Sequence, residues 1–190
     1  VCQGTAIAFG SSITYGGSNP HYIWKVNGST AGTDSLGFGH TPGVGTSKVS
    51  VILVSNGVCA MPDTVMSDTL TTTIWPNGTP TITLAAGPND TVCEGTSVTI
   101  NPTLTFAGYG PTFVWVKNAV AVGTSSSYTY TPIDGDYIYA VMTSDYMCRL
   151  ANTAYSNVVD MTVQDPIVPS VIITGNPGMT LTPGYPDTLT

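Results

Sequence analysis

The side chains with the widest chemistry open to them are four cysteines, Cys2, Cys59, Cys93 and Cys148. A thiolate zinc site needs close pairs such as C-x-x-C, and the sequence has none. A redox centre needs an exposed thiolate of lowered pKa, and nothing in the surrounding sequence suggests one. In a chain this poor in metal ligands the four read as two structural disulfides, which places the protein in an oxidising, extracellular compartment. The remaining candidates for chemistry are weaker. His21 and His40 have no paired acid in the sequence and no serine in a nucleophile motif, so no triad is expected. Asp134-Gly135-Asp136-Tyr137 resembles the turn before a tyrosine corner, and as a calcium site its two carboxylates fall short of the six or more oxygens required. The expectation is a non-enzyme that uses no metal and no cofactor.

Composition narrows the class further. Charged residues make up 8% of the 190 residues, against roughly 25% in an average soluble domain. Lys and Arg together number four and the net charge is -7. Binding nucleic acid or an anionic membrane requires clustered cations, so neither is expected as a partner. No apolar run approaches the ~20 residues needed to span a bilayer, so no membrane insertion is expected in this segment. The chain starts without Met or a signal-peptide pattern and reads as processed or excised.

The elements that must position the cysteines are strands. Ala6 to Ser12 and Tyr22 to Val26 alternate as half-buried strands do, with a turn over Gly16 to Pro20 between them. Val49 to Val54 is a short apolar run suited to a central strand, and Thr64 to Ile74 reads as one long closing strand. Helical periodicity is absent.

The pattern then repeats. Cys2 maps to Cys93 and Trp24 to Trp115 at a shift of 91, while Cys59 maps to Cys148 and Ser67 to Ser156 at a shift of 89. Pro80 to Ala86 supplies a leading strand that the first unit lacks, and Pro169 to Thr174 repeats it. The ends, written head to tail, read Asp187-Thr188-Leu189-Thr190 and then Val1-Cys2-Gln3-Gly4-Thr5, echoing Asp90-Thr91-Val92-Cys93-Glu94-Gly95-Thr96. The expected domains are therefore 1–76, lacking its first strand; 77–166, complete; and 167–190, the first strand of a further copy of 1–76. Paired prolines in the connectors, Pro76 with Pro80 and Pro166 with Pro169, favour extended, stiff linkers and an end-to-end arrangement.

About seven short strands per ~90 residues, with a Trp on the third, indicate an all-β chain of tandem immunoglobulin-like β-sandwiches. Trp24 and Trp115 are assigned to the two cores. Within this frame the expected bridges are Cys2 with Cys59 and Cys93 with Cys148. Each closes a loop of more than 50 residues, worth roughly 4 kcal/mol if the stabilisation is chain entropy.

The runs Tyr22 to Gly28 and Phe113 to Asn118, each preceded by Cys-x-Gly-Thr and followed by a Cys after Ser55-Asn56 or Ser144-Asp145, carry a resemblance. They look like the immunoglobulin-like or PKD-like tandem repeats of giant surface adhesins and filaments in the Bacteroidetes. The resemblance implies a secreted, cell-surface, repetitive protein serving adhesion, gliding or filament formation. Asp34-Ser35-Leu36, Asp63-Thr64-Val65, Asp68-Thr69-Leu70, Asp90-Thr91-Val92 and Asp187-Thr188-Leu189 also resemble the O-glycosylation sequon of that phylum. Five of the ten aspartates lie in this pattern, where chance would place roughly one. Ser35, Thr64, Thr69, Thr91 and Thr188 are thus candidate glycan acceptors, although Asp-Thr is also simply a turn entering a strand.

Two classes of function remain open at the level of sequence. One is a structural and adhesive repeat module whose partners are neighbouring copies of the same repeat. Those copies are joined either covalently in tandem or, as in a pilus, by donation of residues 167–190. The other is a binding module in which Tyr109, Tyr128, Tyr130 and Tyr155 would contact a sugar or a protein.

Overall fold

The structure is a computed structural model that describes residues 1–172, and every strand in it belongs to one of two successive immunoglobulin-like units. In the first unit the strands are β1 (Ile7–Gly10), β2 (His21–Val26), β3 (Ser29–Thr33), β4 (Gly37–His40), β5 (Gly45–Val54), β6 (Thr64–Met66) and β7 (Leu70–Ile74). In the second they are β8 (Thr81–Gly87), β9 (Thr91–Cys93), β10 (Val98–Thr105), β11 (Thr112–Lys117), β12 (Val120–Gly123), β13 (Tyr128–Tyr130), β14 (Tyr137–Thr143), β15 (Thr153–Tyr155), β16 (Val159–Asp160) and β17 (Thr162–Gln164). The segment 167–190 lies largely outside the described residues: 167–172 carry no strand, and the expected leading strand and Thr188 extend beyond them.

The second unit shows the sandwich in full. One sheet has the order β13-β10-β8 and the other β12-β11-β14-β15, with β16 also on β14 and β17 parallel to β9. Alternation places Ile82, Leu84, Val98 and Ile100 of the first sheet against Phe113, Trp115, Ile138, Ala140 and Met142 of the second, all buried. Trp115 is 0% exposed, and its indole N–H donates to the Ser125 carbonyl at 2.7 Å, so the one polar atom of the ring is satisfied.

The first unit repeats this plan with seven strands where the second has ten, and among the described residues it has no counterpart of β8. Its larger sheet has the order β3-β2-β5-β6, with β7 also on β5, but its other sheet contains only β1 and β4. Trp24 occupies the place of Trp115, stacked on Phe38 at 5.5 Å, with its indole N–H donating to the Ser35 carbonyl at 2.8 Å. Among the described residues nothing lies where β8 lies on β10, and the outer edge of β1 has no partner.

Two expectations about local structure need correction. The closing strand expected as one piece over Thr64 to Ile74 is broken at Ser67-Asp68-Thr69. The Ser67 hydroxyl accepts the Val51 N–H at 3.0 Å, a bond that the ladder would otherwise make, and this interrupts the pairing with β5 between β6 and β7. The turn at Asp134 to Tyr137 is tied by the Asp136 carboxylate rather than by a tyrosine hydroxyl, and the Tyr137 side chain is exposed.

Candidate functional site at the joint and the open groove

The joint between the units is fastened covalently. Cys2 and Cys148 form a disulfide with Cα atoms 5.4 Å apart across 146 positions of sequence, while Cys59 and Cys93 are free and exposed. This overturns the expected pairs Cys2 with Cys59 and Cys93 with Cys148, and the strand directions give the reason. Cys2 pairs with Trp75, next to the end of β7. β5 starts opposite that end, at Gly45 against Ile74, and finishes opposite Thr64. Its ten residues at ~3.3 Å each carry the chain about 30 Å before Cys59 is reached. A disulfide tolerates Cα atoms no more than ~7 Å apart, so the two cysteines of one sandwich sit at opposite ends and cannot meet. The same holds for Cys93, beside Gln164, and Cys148, in the loop after β14.

Further contacts close the joint around this bridge. The Gly78 N–H donates to the Cys148 carbonyl at 3.2 Å, and the Leu150 N–H donates to the Gly78 carbonyl at 2.9 Å. The Tyr146 hydroxyl donates to the Pro76 carbonyl at 2.9 Å, and the Asn77 side-chain amide donates to the Gln3 carbonyl at 3.2 Å. Gly78 lies directly on the Phe106 ring, where a Cβ would collide with ring carbons, and Tyr146 packs on the same ring with centroids 5.3 Å apart. The linker is thus pinned from both sides.

The second feature is a groove along the open side of the first unit. In the second unit β8 runs the full length of β10, from Thr81 opposite Thr105 to Gly87 opposite Thr99. Asn157 clamps β8 from the facing sheet: its Oδ1 accepts the Leu84 N–H at 2.7 Å and its Nδ2 donates to the Leu84 carbonyl at 3.2 Å. In the first unit the same space is a cavity of about 340 Å³ lined by Phe9, Trp24, Val49, Leu53, Val65 and Leu70. Val65 is 48% exposed where its counterpart Ala154 is 9%, and Leu70 is 55% exposed where its counterpart Val159 is 8%. Asp68 stands in the place of Asn157, because the preceding serines behave alike. Ser67 accepts the Val51 N–H at 3.0 Å and donates to the Asp68 carbonyl at 2.7 Å, as Ser156 accepts the Ala140 N–H at 2.8 Å and donates to the Asn157 carbonyl at 2.7 Å. The walls of a β8 site are present, with Asp68 at the position of its clamp, and no strand lies between them among the described residues.

The candidate glycan acceptors within the described residues, Ser35, Thr64, Thr69 and Thr91, are all exposed. Thr64 and Thr91 hydrogen-bond the aspartate that precedes each, at 3.1 and 3.4 Å. Thr69 lies at the rim of the groove, between Asp68 and Leu70.

The other candidates are drawn apart or used for structure. His21, expected to have no paired acid, places its Nδ1 at 2.6 Å from Asp34 Oδ1. The pairing arises because Asp34 takes a left-handed turn at φ 55°, which turns its carboxylate back toward β2. Both groups are exposed, and among the described residues no hydroxyl hydrogen-bonds the ring. Asp134 accepts the Val163 N–H at 2.9 Å, and the buried Asp136 accepts from Asn118 at 2.6 Å and from the Ile133 N–H at 3.1 Å, with Lys117 at 3.5 Å. Burial acts to raise the Asp136 pKa, but these hydrogen bonds and the Lys117 charge outweigh it and hold the carboxyl below the usual range. Burial first, and then the Asp136 charge, push the Tyr130 phenol well above its ordinary value. Tyr128 and Tyr130 face inward, Tyr128 stacked on Trp115 at 5.8 Å and on Tyr130 at 5.2 Å, whereas Tyr109 and Tyr155 are exposed. The four rings do not form one platform.

No family model matches the sequence, and no curated protein matches it. Among solved structures, fibronectin(III)-like modules of Clostridium thermocellum CbhA share 12% identity over 92% of this chain and 93% of theirs, with a TM-score of 0.35. The four N-terminal Ig domains of Dscam1 isoform 1.9 share 12% identity over 86% of this chain and 42% of theirs, with a TM-score of 0.45. Those of isoform 4.44 share 11% identity over 86% of this chain and 42% of theirs, with a TM-score of 0.43. These likenesses concern the fold alone and carry no functional inference. The chain is an all-β protein of immunoglobulin-like sandwiches.

Proposed function

We propose that the chain is a non-catalytic structural module of an extracellular, cell-surface filament or giant adhesin, joined head to tail to neighbouring copies of itself. The observation that carries the reading is the groove of the first unit, which has the walls of a β8 site and a residue, Asp68, at the position of the Asn157 clamp. Its occupant is the leading strand of a neighbouring copy, for which Pro169 to Thr174 is the sequence match to Pro80 to Ala86. Such a strand would bond the open edge of β1 and cover Val65 and Leu70, adding a strand to a sheet edge. The shortage of charge supports the same reading: sheet edges are commonly protected by charged side chains, and this chain has only four cations to place there. Glycans on the exposed Ser35, Thr64, Thr69 and Thr91 would shield the surface that remains.

The test compares the single chain with a two-copy chain fused head to tail. Calorimetry should show one of the two first units in the fused chain unfolding at a higher temperature than the first unit of the single chain. The substitution Val171→Asp in the leading copy should remove that gain. First units of equal stability in both proteins, together with a single chain that stays monomeric at high concentration, would overturn the proposal.

A further inference from the structure

The Cys2–Cys148 joint is built from a donor end and an acceptor end, and both ends occur a second time with their cysteines unbridged. On the donor side, Cys93 sits as Cys2 does. Each lies beside the closing strand in a parallel pairing, Cys2 with Trp75 and Cys93 with Gln164. The next residue donates its N–H to that partner, Gln3 to Trp75 at 2.8 Å and Glu94 to Gln164 at 2.9 Å. Each chain then turns back with the same bond, Thr5 N–H to Cys2 and Thr96 N–H to Cys93, both at 3.1 Å.

On the acceptor side, Cys59 lies in the first unit's counterpart of the loop that holds Cys148 in the second. The Ser55 hydroxyl donates to the Tyr15 carbonyl at 2.8 Å as Ser144 donates to Phe106 at 2.7 Å. The Ala60 N–H donates to Gly57 as the Arg149 N–H donates to Tyr146, both at 3.2 Å. Tyr15 and Phe106 share the left-handed backbone, at φ 57° and 46°. Phe106 carries the linker at the joint, while Tyr15, its counterpart, is 93% exposed.

Cys59 takes a left-handed backbone at φ 71° that Cys148 does not share, but two other differences between the pairs of ends compensate one another. Gly78, which leaves room for the Phe106 ring, is matched in position by Ile167, and Tyr146, which packs on that ring, is matched by Gly57. A side chain added on the donor is met by a ring removed from the acceptor. Both ends also leave apolar side chains in water, Ile167 and Val168 on one and Tyr15, Val58 and Met61 on the other.

We propose that Cys93 of one copy forms a disulfide with Cys59 of the next copy of this chain, repeating between copies the bond that Cys2 and Cys148 make within one. This rests on the head-to-tail reading above and adds a covalent lace along the array. The oxidant is a protein or low-molecular-weight disulfide. One thiolate attacks it to give a mixed disulfide and release one thiol, and the second thiolate displaces the other. The two cysteines thereby lose two protons and two electrons, and the oxidant becomes two thiols.

The test mixes equal amounts of ¹⁴N- and ¹⁵N-labelled full-length chain in a glutathione redox buffer and maps the disulfides by mass spectrometry without reduction. Light–heavy peptides joining Cys93 to Cys59 should appear, together with a non-reducing gel ladder in steps of 19.7 kDa. Cys59→Ser or Cys93→Ser should each abolish the ladder while leaving the Cys2–Cys148 peptide intact. Cys59 and Cys93 remaining alkylatable once Cys2–Cys148 has formed would overturn the proposal, as would Cys59–Cys59 and Cys93–Cys93 pairs as abundant as mixed ones. Sedimentation of the Cys59→Ser/Cys93→Ser double variant separates the two readings. If wild-type thiols stay free while this variant still associates, the bridge alone is lost; if neither protein associates, the head-to-tail reading is lost with it.

Discussion

Asn157 holds the main chain of Leu84 by both of its polar groups, accepting the N–H at 2.7 Å and donating to the carbonyl at 3.2 Å. This clamp fixes β8 to the facing sheet at the point where its inward side chain is buried. Replacing Asn157 by Ala leaves two buried main-chain groups unsatisfied, so it should destabilise the second unit by roughly 1–3 kcal/mol. Denaturant unfolding followed by Trp115 fluorescence measures the loss; an unchanged midpoint would show that β8 is held by the ladder alone.

Asp68 offers only half of that clamp. An ionised carboxylate accepts a main-chain N–H but has no hydrogen to give to the neighbouring carbonyl. Asp68→Asn should therefore strengthen association between copies, with roughly a threefold to tenfold lower dissociation constant for one recovered hydrogen bond of ~1 kcal/mol. Sedimentation equilibrium of the two proteins provides the comparison. Weaker association of the variant would mean that the incoming strand does not present its main chain to residue 68.

The alternating strands and the two tryptophans were legible in the sequence because each is decided by its immediate neighbours. Trp24 and Trp115 sit in apolar alternation, and burial follows wherever the second sheet lies. The cysteine pairing was not legible in the same way, since it depends on which end of a ~30 Å strand each residue occupies. Counting strand directions from Cys2 to Cys59 would have placed them apart; spacing along the sequence does not. The break at Ser67 and the His21–Asp34 pair were hidden for a related reason: one rests on a hydroxyl taking a ladder hydrogen bond, the other on a single left-handed residue at Asp34. Neither leaves a periodic trace. The role of Asp68 follows from its match to Asn157, whose grip on Leu84 spans 73 positions of sequence and leaves no local pattern.

Asp136 sets an acid limit on the second unit. Its carboxyl is held below the usual range in the folded chain, so its contribution to stability is complete above the unfolded value of ~3.9 and is lost as pH falls through the lower folded value. Asp136→Asn should be less stable than the parent at pH 7, and the gap between them should narrow at pH 3. Chemical denaturation at the two pH values checks this; a gap that stays constant or widens on acidification would contradict the assignment.

The bridge at the joint has a different signature, because it connects two sandwiches that each have their own core. Replacing Cys2 and Cys148 together by Ser should leave both units folded. It should lower the stability of the whole by about 2–4 kcal/mol, the usual range for a lost disulfide. Small-angle scattering should show a broader distribution of distances between the units once the linker keeps only its hydrogen bonds. Loss of either fold in the double variant would show that the joint is part of a core rather than a fastening between two.

Gly78 tests how closely the linker must approach Phe106. Any side chain at residue 78 has to push the ring away, and the ring is backed by Tyr146, so Gly78→Ala should cost about 1–3 kcal/mol as an overpacked contact. Phe106→Ala removes the obstacle, and it should cost less in the Gly78→Ala background than in the parent. The two substitutions are therefore expected to couple, with an interaction energy of roughly 0.5–3 kcal/mol in a double-mutant cycle. Additive effects would mean that the linker moves aside as a body instead of forcing the ring. Coupling would show that a side chain at residue 78 is tolerated only when the ring can give way, which is the freedom that Gly57, in the place of Tyr146, leaves to Tyr15 opposite Ile167.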